Sequence, residues 1–209
     1  MTRPTLPAAT LTLGLLVPGV WLALGVAAGQ GQAALYSESG PVELFSALYL
    51  LLAGAMLLTL PDRAARWHQV LLLVAAALRE MDWDKSFTED GILSLRHYSG
   101  AAPLVEKILG AIVVLAVLVA GLRLVRRDLV PWLGGLRRGS GIAWLWLGAI
   151  LMLVLAKAGD GLDRKLAGFG IRLPEGAMLV IARGEEVMEL VASVLILTAI
   201  AVLVAPARR

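Results

Sequence analysis

Residues 79–107 read REMDWDKSFTEDGILSLRHYSGAAPLVEK. They form the longest polar interruption in an oily chain. Arg79, Glu80, Asp82 and Asp84 follow an apolar run directly, and Glu106 and Lys107 directly precede the next one. Charges this close to hydrocarbon are costly, so they need partners or a purpose. Inside the stretch, SFTED at 86–90 suits the start of a short helix over 90–98, lying on the membrane interface with Ile92, Leu93 and Leu95 inward.

The whole chain is 59% hydrophobic with a mean hydropathy of +0.81, above the roughly 45–50% apolar content of soluble domains. Several runs reach the ~20 residues that a membrane-crossing helix needs. Strand-like alternation is absent, which argues against a β-barrel. The expected fold is all-α: a polytopic membrane helical bundle, one domain over 1–209, with six spans near 8–29, 42–60, 64–83, 103–124, 141–158 and 176–205. In the first span the apolar run Leu11–Ala28, interrupted by Pro18, exceeds the ~7–15 residues of a signal-peptide core. A retained helix is therefore expected; a cleaved segment 1–29 would leave five spans. Gly25 and Gly29 have the GxxxG spacing that permits close helix packing. The third span is short, and a re-entrant segment is the alternative to a full crossing. His68, beside Trp67 at its start, reads as an interfacial anchor.

Basic residues set the orientation. Arg3, then Arg63 and Arg66, then Arg123, Arg126, Arg127, Arg137 and Arg138, then Arg208 and Arg209 fall in alternate connections. The intervening connections either lack Lys and Arg or balance them with acids. The positive-inside rule then puts both termini in the cytoplasm, in a multi-pass protein of a cell membrane such as a bacterial inner membrane.

This topology gathers carboxylates. Glu43 opens the second span, Glu80 and Asp82 end the third, Asp160 and Asp163 end the fifth, and Glu185, Glu186 and Glu189 open the sixth, all at the outer end. Asp160 and Asp163 are i, i+3, and share a face if the fifth helix continues that far; Glu185 and Glu189 are i, i+4. A helix from Glu189 to Ala205 rises only about 24 Å, less than the ~30 Å hydrocarbon thickness. Glu189 therefore belongs within the span, facing the bundle, and is a functional candidate. Arg79, Lys107, Lys157 and Arg183 lie at the same level as charge partners. A basic residue stands three positions before an aspartate at both Arg79–Asp82 and Lys157–Asp160, a pattern that an internal duplication or chance would produce.

Composition excludes much chemistry. There are no cysteines, hence no disulfide, thiolate metal site or iron–sulfur cluster. Two histidines cannot supply the three that the alkaline-ceramidase type of membrane hydrolase needs. No Walker motif, dinucleotide fingerprint or Gly-x-Ser-x-Gly elbow is present. No nucleotide, haem or nucleic-acid partner is expected. Membrane lipid is the expected surrounding, and a protein partner or a second copy is left open. The expected function is cation binding, of a divalent metal or a proton, by Glu43, Glu80, Asp82, His97, Asp160, Asp163, Glu185, Glu186 and Glu189. Hard cations prefer such oxygen ligands, and a buried glutamate is a common proton carrier. The alternative is a non-catalytic subunit or scaffold whose charges brace the bundle or dock a partner. A metal-dependent membrane hydrolase is the third reading.

Overall fold

Every regular element among the described residues is helical. The computed structural model describes residues 6–29, 40–83, 88 and 91–205, and only the backbone of Asp163. Arg3, the first connection, SFTED apart from Thr88, the start of the expected helix at Asp90, and the Arg208–Arg209 tail lie outside the described residues.

The elements are α1 (Leu6–Ala27), α2 (Pro41–Leu58), a single 3-10 turn (Arg63–Arg66), α3 (Trp67–Glu80), α4 (Leu95–Ser99), α5 (Leu104–Arg137), α6 (Gly141–Gly159), α7 (Leu162–Ala167) and α8 (Glu175–Val204). Five of them, α1, α2, α5, α6 and α8, are long and apolar enough to cross a membrane. The third expected span is the exception. Its helical part, α3, has 14 residues and rises about 21 Å, short of a ~30 Å hydrocarbon layer. It stops because Asp82 takes φ +48°, a left-handed conformation that no helix interior tolerates and that aspartate adopts more readily than most residues.

α8 is the mast. From Leu190 to Ala201 it is buried nearly all round, as expected of a helix that is apolar on every face. It packs against α6, α2 and α1, while α2 continues to α3 and α3 to α5. In α8, 56% of the apolar window is buried, against 11% in α5. α5 therefore turns most of its surface outward, with Leu104 and Leu118 more than half exposed. A continuous surface of such residues is stable against lipid and not against water. Its helix also runs further than the expected 103–124. The basic stretch after Leu124 stays helical to Arg137, with Pro131 inside it.

Small residues set the helix spacing, as they do between membrane helices. Ala53, Ala77, Ala192, Ala199 and Ala201 are fully buried. The expected Gly25–Gly29 pair does not form a helix face, because Gly29 lies past the end of α1 at φ +73°. α1 instead meets α8 at Gly14, where an added Cβ would stand 2.9 Å from Val194 Cγ1. Val194 is itself fully buried, so overpacking is expected. Gly14→Ala should lower stability in detergent by about 1–2 kcal/mol. Gly19→Ala, with nothing within 4 Å of the new Cβ, should be neutral or slightly favourable by helix propensity. Equal melting temperatures for the two variants would show that α1 does not dock at Gly14.

Short hairpins align the helix ends. The connection after α2 returns the chain into α3, so Glu43 and Glu80 share one end of the bundle. At the end of α6, a Cβ on Gly159 would lie 3.4 Å from Ile181 of α8. At the opposite end, Trp132 Nε1 donates to the carbonyl of Ala143 at 3.0 Å, tying α5 to α6.

Candidate functional site

Five glutamates from three helices meet at the end where α2 begins and α3 stops. Glu43 stands in the first turn of α2, behind Pro41 at the helix start, where a negative charge complements the helix dipole. Glu80 is the last residue of α3. Glu185, Glu186 and Glu189 lie along the first half of α8, where i, i+3 and i, i+4 spacings keep them together. All five are half-buried. Glu80 feels the charges of Glu189, Arg79, Glu43 and Asp82. Glu186 feels Glu43, Glu189, Glu185 and Arg183, and Glu189 feels Glu185, Arg79, Lys157 and Glu43. The cluster is therefore one electrostatic unit in which carboxylates outnumber cations. Glu186 Oε2 is buried without a hydrogen-bond partner among the described residues, an arrangement that costs free energy for an ionised oxygen.

Asp160 stands at the edge of this unit. Lys157 Nζ pairs with its carboxylate, and Lys165 Nζ donates to its backbone carbonyl at 2.7 Å. The Lys157 ammonium beside Asp160 holds its carboxyl below the usual carboxylate range. A lowered value contributes stability above the unfolded-state carboxylate range and loses it as pH falls through the folded value. Acidification below about pH 4 should therefore loosen the end of α6, readable as faster amide exchange around Lys157–Asp160. Both side chains are more than a third exposed, so the effect should be small, about 0.5 kcal/mol.

The other expected members are held as follows. α6 ends at Gly159, Asp160 is its cap at ψ 120°, and Gly161 is left-handed at φ +61°. Asp160 and Asp163 thus do not share one continuous helix face, and the side chain of Asp163 lies outside the described residues. His97 is buried in the segment after α3 and packs against α5: a Cβ on Gly110 would stand 3.5 Å from its Nε2 and 3.0 Å from the Tyr98 hydroxyl. Tyr98 Oη donates to the carbonyl of Ile92 at 2.6 Å, which closes this segment on itself. Lys107 Nζ donates to the carbonyl of Gly100 at 2.8 Å and so closes the loop before α5. Among the described residues no group of three or more His, Asp or Glu side chains could hold a metal ion. A cleft of about 240 Å³ flanks the cluster, lined by Gly159, Gly161, Leu162, Leu173, Met178, Ile181, Ala182 and Glu185.

A second polar constellation lies at the opposite end. His68 is fully buried, not the interfacial anchor that its neighbour Trp67 suggests. Its Nε2 is 2.9 Å from Asp128 Oδ2, and Gln69 Nε2 donates to the same oxygen at 3.0 Å. Arg123 Nε donates to His68 Nδ1 at 3.3 Å, which assigns the ring hydrogen to Nε2. Arg123 also lies over the Trp67 ring, 5.8 Å from its centroid. The one sequence signal for this knot is Asp128, the single acid in a stretch with five arginines.

No family model, curated protein or solved structure matches this chain.

Proposed function

We propose that the protein is a multi-pass membrane protein whose glutamate cluster on α2, α3 and α8 binds a cation, and that the cation is the proton. The observation that carries this reading is the excess of carboxylates in a half-buried unit with one carboxylate oxygen left unpartnered. Protonation relieves both the mutual repulsion and the burial of charge. A divalent metal is the weaker form of the reading, since the described residues hold no multidentate group for one.

In the membrane arrangement that goes with it, one domain crosses six times, with both termini cytoplasmic in a cell membrane such as a bacterial inner membrane. The start of α3 meets the later half of α5 at His68–Asp128, and the segment after α3 meets Gly110 near the beginning of α5. Those contacts support an antiparallel α3 between α2 and α5, carried to the outer surface by the segment that follows it. A second reading, charge bracing of the bundle, is favoured by the Lys157–Asp160–Lys165 tie.

Infrared titration of the reconstituted protein distinguishes them. Proton binding predicts a protonated-carboxyl band near neutral pH that weakens in Glu189→Gln and in Glu80→Gln. Metal content by mass spectrometry is measured on the same samples. Stoichiometric metal lost in Glu189→Gln would replace the proton by a metal ion. Absence of both band and metal would leave bracing.

A further inference from the structure

The start of α3 and the adjoining middle of α5 carry a concentrated positive charge whose acids are already engaged. Arg63 and Arg66 lie in the 3-10 turn before α3; Arg123, Arg126 and Arg127 lie where the apolar run of α5 ends. Only two acids stand among these five arginines. Asp62 takes Arg66 Nε at 2.9 Å, and Asp128 takes His68 and Gln69 at 2.9 and 3.0 Å. The two elements are fastened together, because Arg127 Nη1 donates to the carbonyl of Ala65 at 2.6 Å and His68 meets Asp128 across the same seam. Arg63 and Arg126 are exposed and have no acid partner among the described residues.

The level of this surface in the membrane follows from its neighbours. Trp67 is 41% exposed and stacks with Arg123, and tryptophans collect at the headgroup level. On α5 exposed apolar residues precede the arginines at Leu118, Val119 and Leu122 and follow them at Val130 and Leu133. The guanidinium groups therefore stand at the boundary between acyl chains and headgroups. Guanidinium matches phosphate oxygens in shape and charge.

We infer that the arginine surface formed by the Arg63–Arg66 turn and Arg123–Arg127 of α5 binds the phosphate headgroup of anionic phospholipid. The His68–Asp128 knot is its scaffold: His68 and Gln69 engage Oδ2 of Asp128, the one acid beside these arginines on α5, in competition with their guanidinium groups. The inference requires membrane embedding and is independent of what the glutamate cluster binds.

The test uses the full chain, delipidated in a neutral detergent. Thermal stability is followed on addition of phosphatidylglycerol, of phosphatidylcholine and of inorganic phosphate. Phosphatidylglycerol should stabilise, phosphatidylcholine should not, and salt should weaken the effect. Each removed arginine should lower the apparent affinity about fivefold, so Arg63→Gln/Arg126→Gln should lower it about 25-fold. The charge-preserving Arg63→Lys/Arg126→Lys should stay within a few-fold of wild type. Arg137→Gln/Arg138→Gln, at the far end of α5, should change it less than twofold. Equal response to both lipids would overturn the inference, as would a glutamine double variant that folds and binds as wild type. Stabilisation by inorganic phosphate to the same extent would assign the surface to a free anion and overturn the lipid reading.

Discussion

Asp128→Ala should lower the unfolding free energy by about 2–3 kcal/mol, because it leaves a fully buried His68 Nε2 hydrogen without an acceptor. Gln69 loses its partner in the same step. The loss should appear as a lower midpoint in denaturant titration of the detergent-solubilised protein. Asp128→Asn keeps an oxygen that can accept from the ring and should cost less than half as much. In a double-mutant cycle with His68→Ala, the two substitutions should couple by about 1–3 kcal/mol. A cost near zero for Asp128→Ala would mean that this seam does not hold α3 to α5. Proteolysis or amide exchange at the start of α3 gives an independent reading, since that helix is the shortest of the main helices and depends on its neighbours for position.

Glu189→Gln should have the opposite sign. Gln has the shape of a protonated glutamate and carries no charge, so it removes repulsion with Glu185 and Glu43 without emptying the space. A rise of about 1–2 kcal/mol is expected, the usual size when a functional site is traded for stability. Arg79→Gln, which removes a cation felt by Glu80, Glu185 and Glu189, should destabilise under the same conditions. The two variants together separate a poised site from a brace. If Glu189→Gln instead lowers stability as much as Arg79→Gln does, the charges serve packing and the proton reading loses its main support.

The all-helical nature of the described residues and their long apolar helices were legible in the sequence for a simple reason. Over some 20 residues the hydrocarbon requirement acts on every position alike, so composition alone reports it. The gathering of Glu43, Glu80 and the Glu185–Glu189 face at one end was legible too, because helices that run alternately up and down place their ends without any knowledge of packing. The fine geometry was not. Whether α3 continues through Asp82 depends on one backbone dihedral, and nothing in REMDWD declares it. Whether Asp160 and Asp163 share a face depends on a left-handed Gly161 between them.

What the sequence by itself determined is therefore what a one-dimensional pattern can encode: which segments are apolar, how long they are, and which ends carry acids or arginines. Tertiary structure decided the rest. It made α8 the centre and left α5 at the edge, although both are strongly apolar, because small residues such as Gly14 and Gly148 let other helices approach α8 closely, at Val194 and Leu195. It buried His97 against Gly110. It paired His68 with Asp128 across 60 residues of sequence. Such contacts depend on complementary shape and hydrogen-bond direction between helices, and neither is carried by any local stretch of chain.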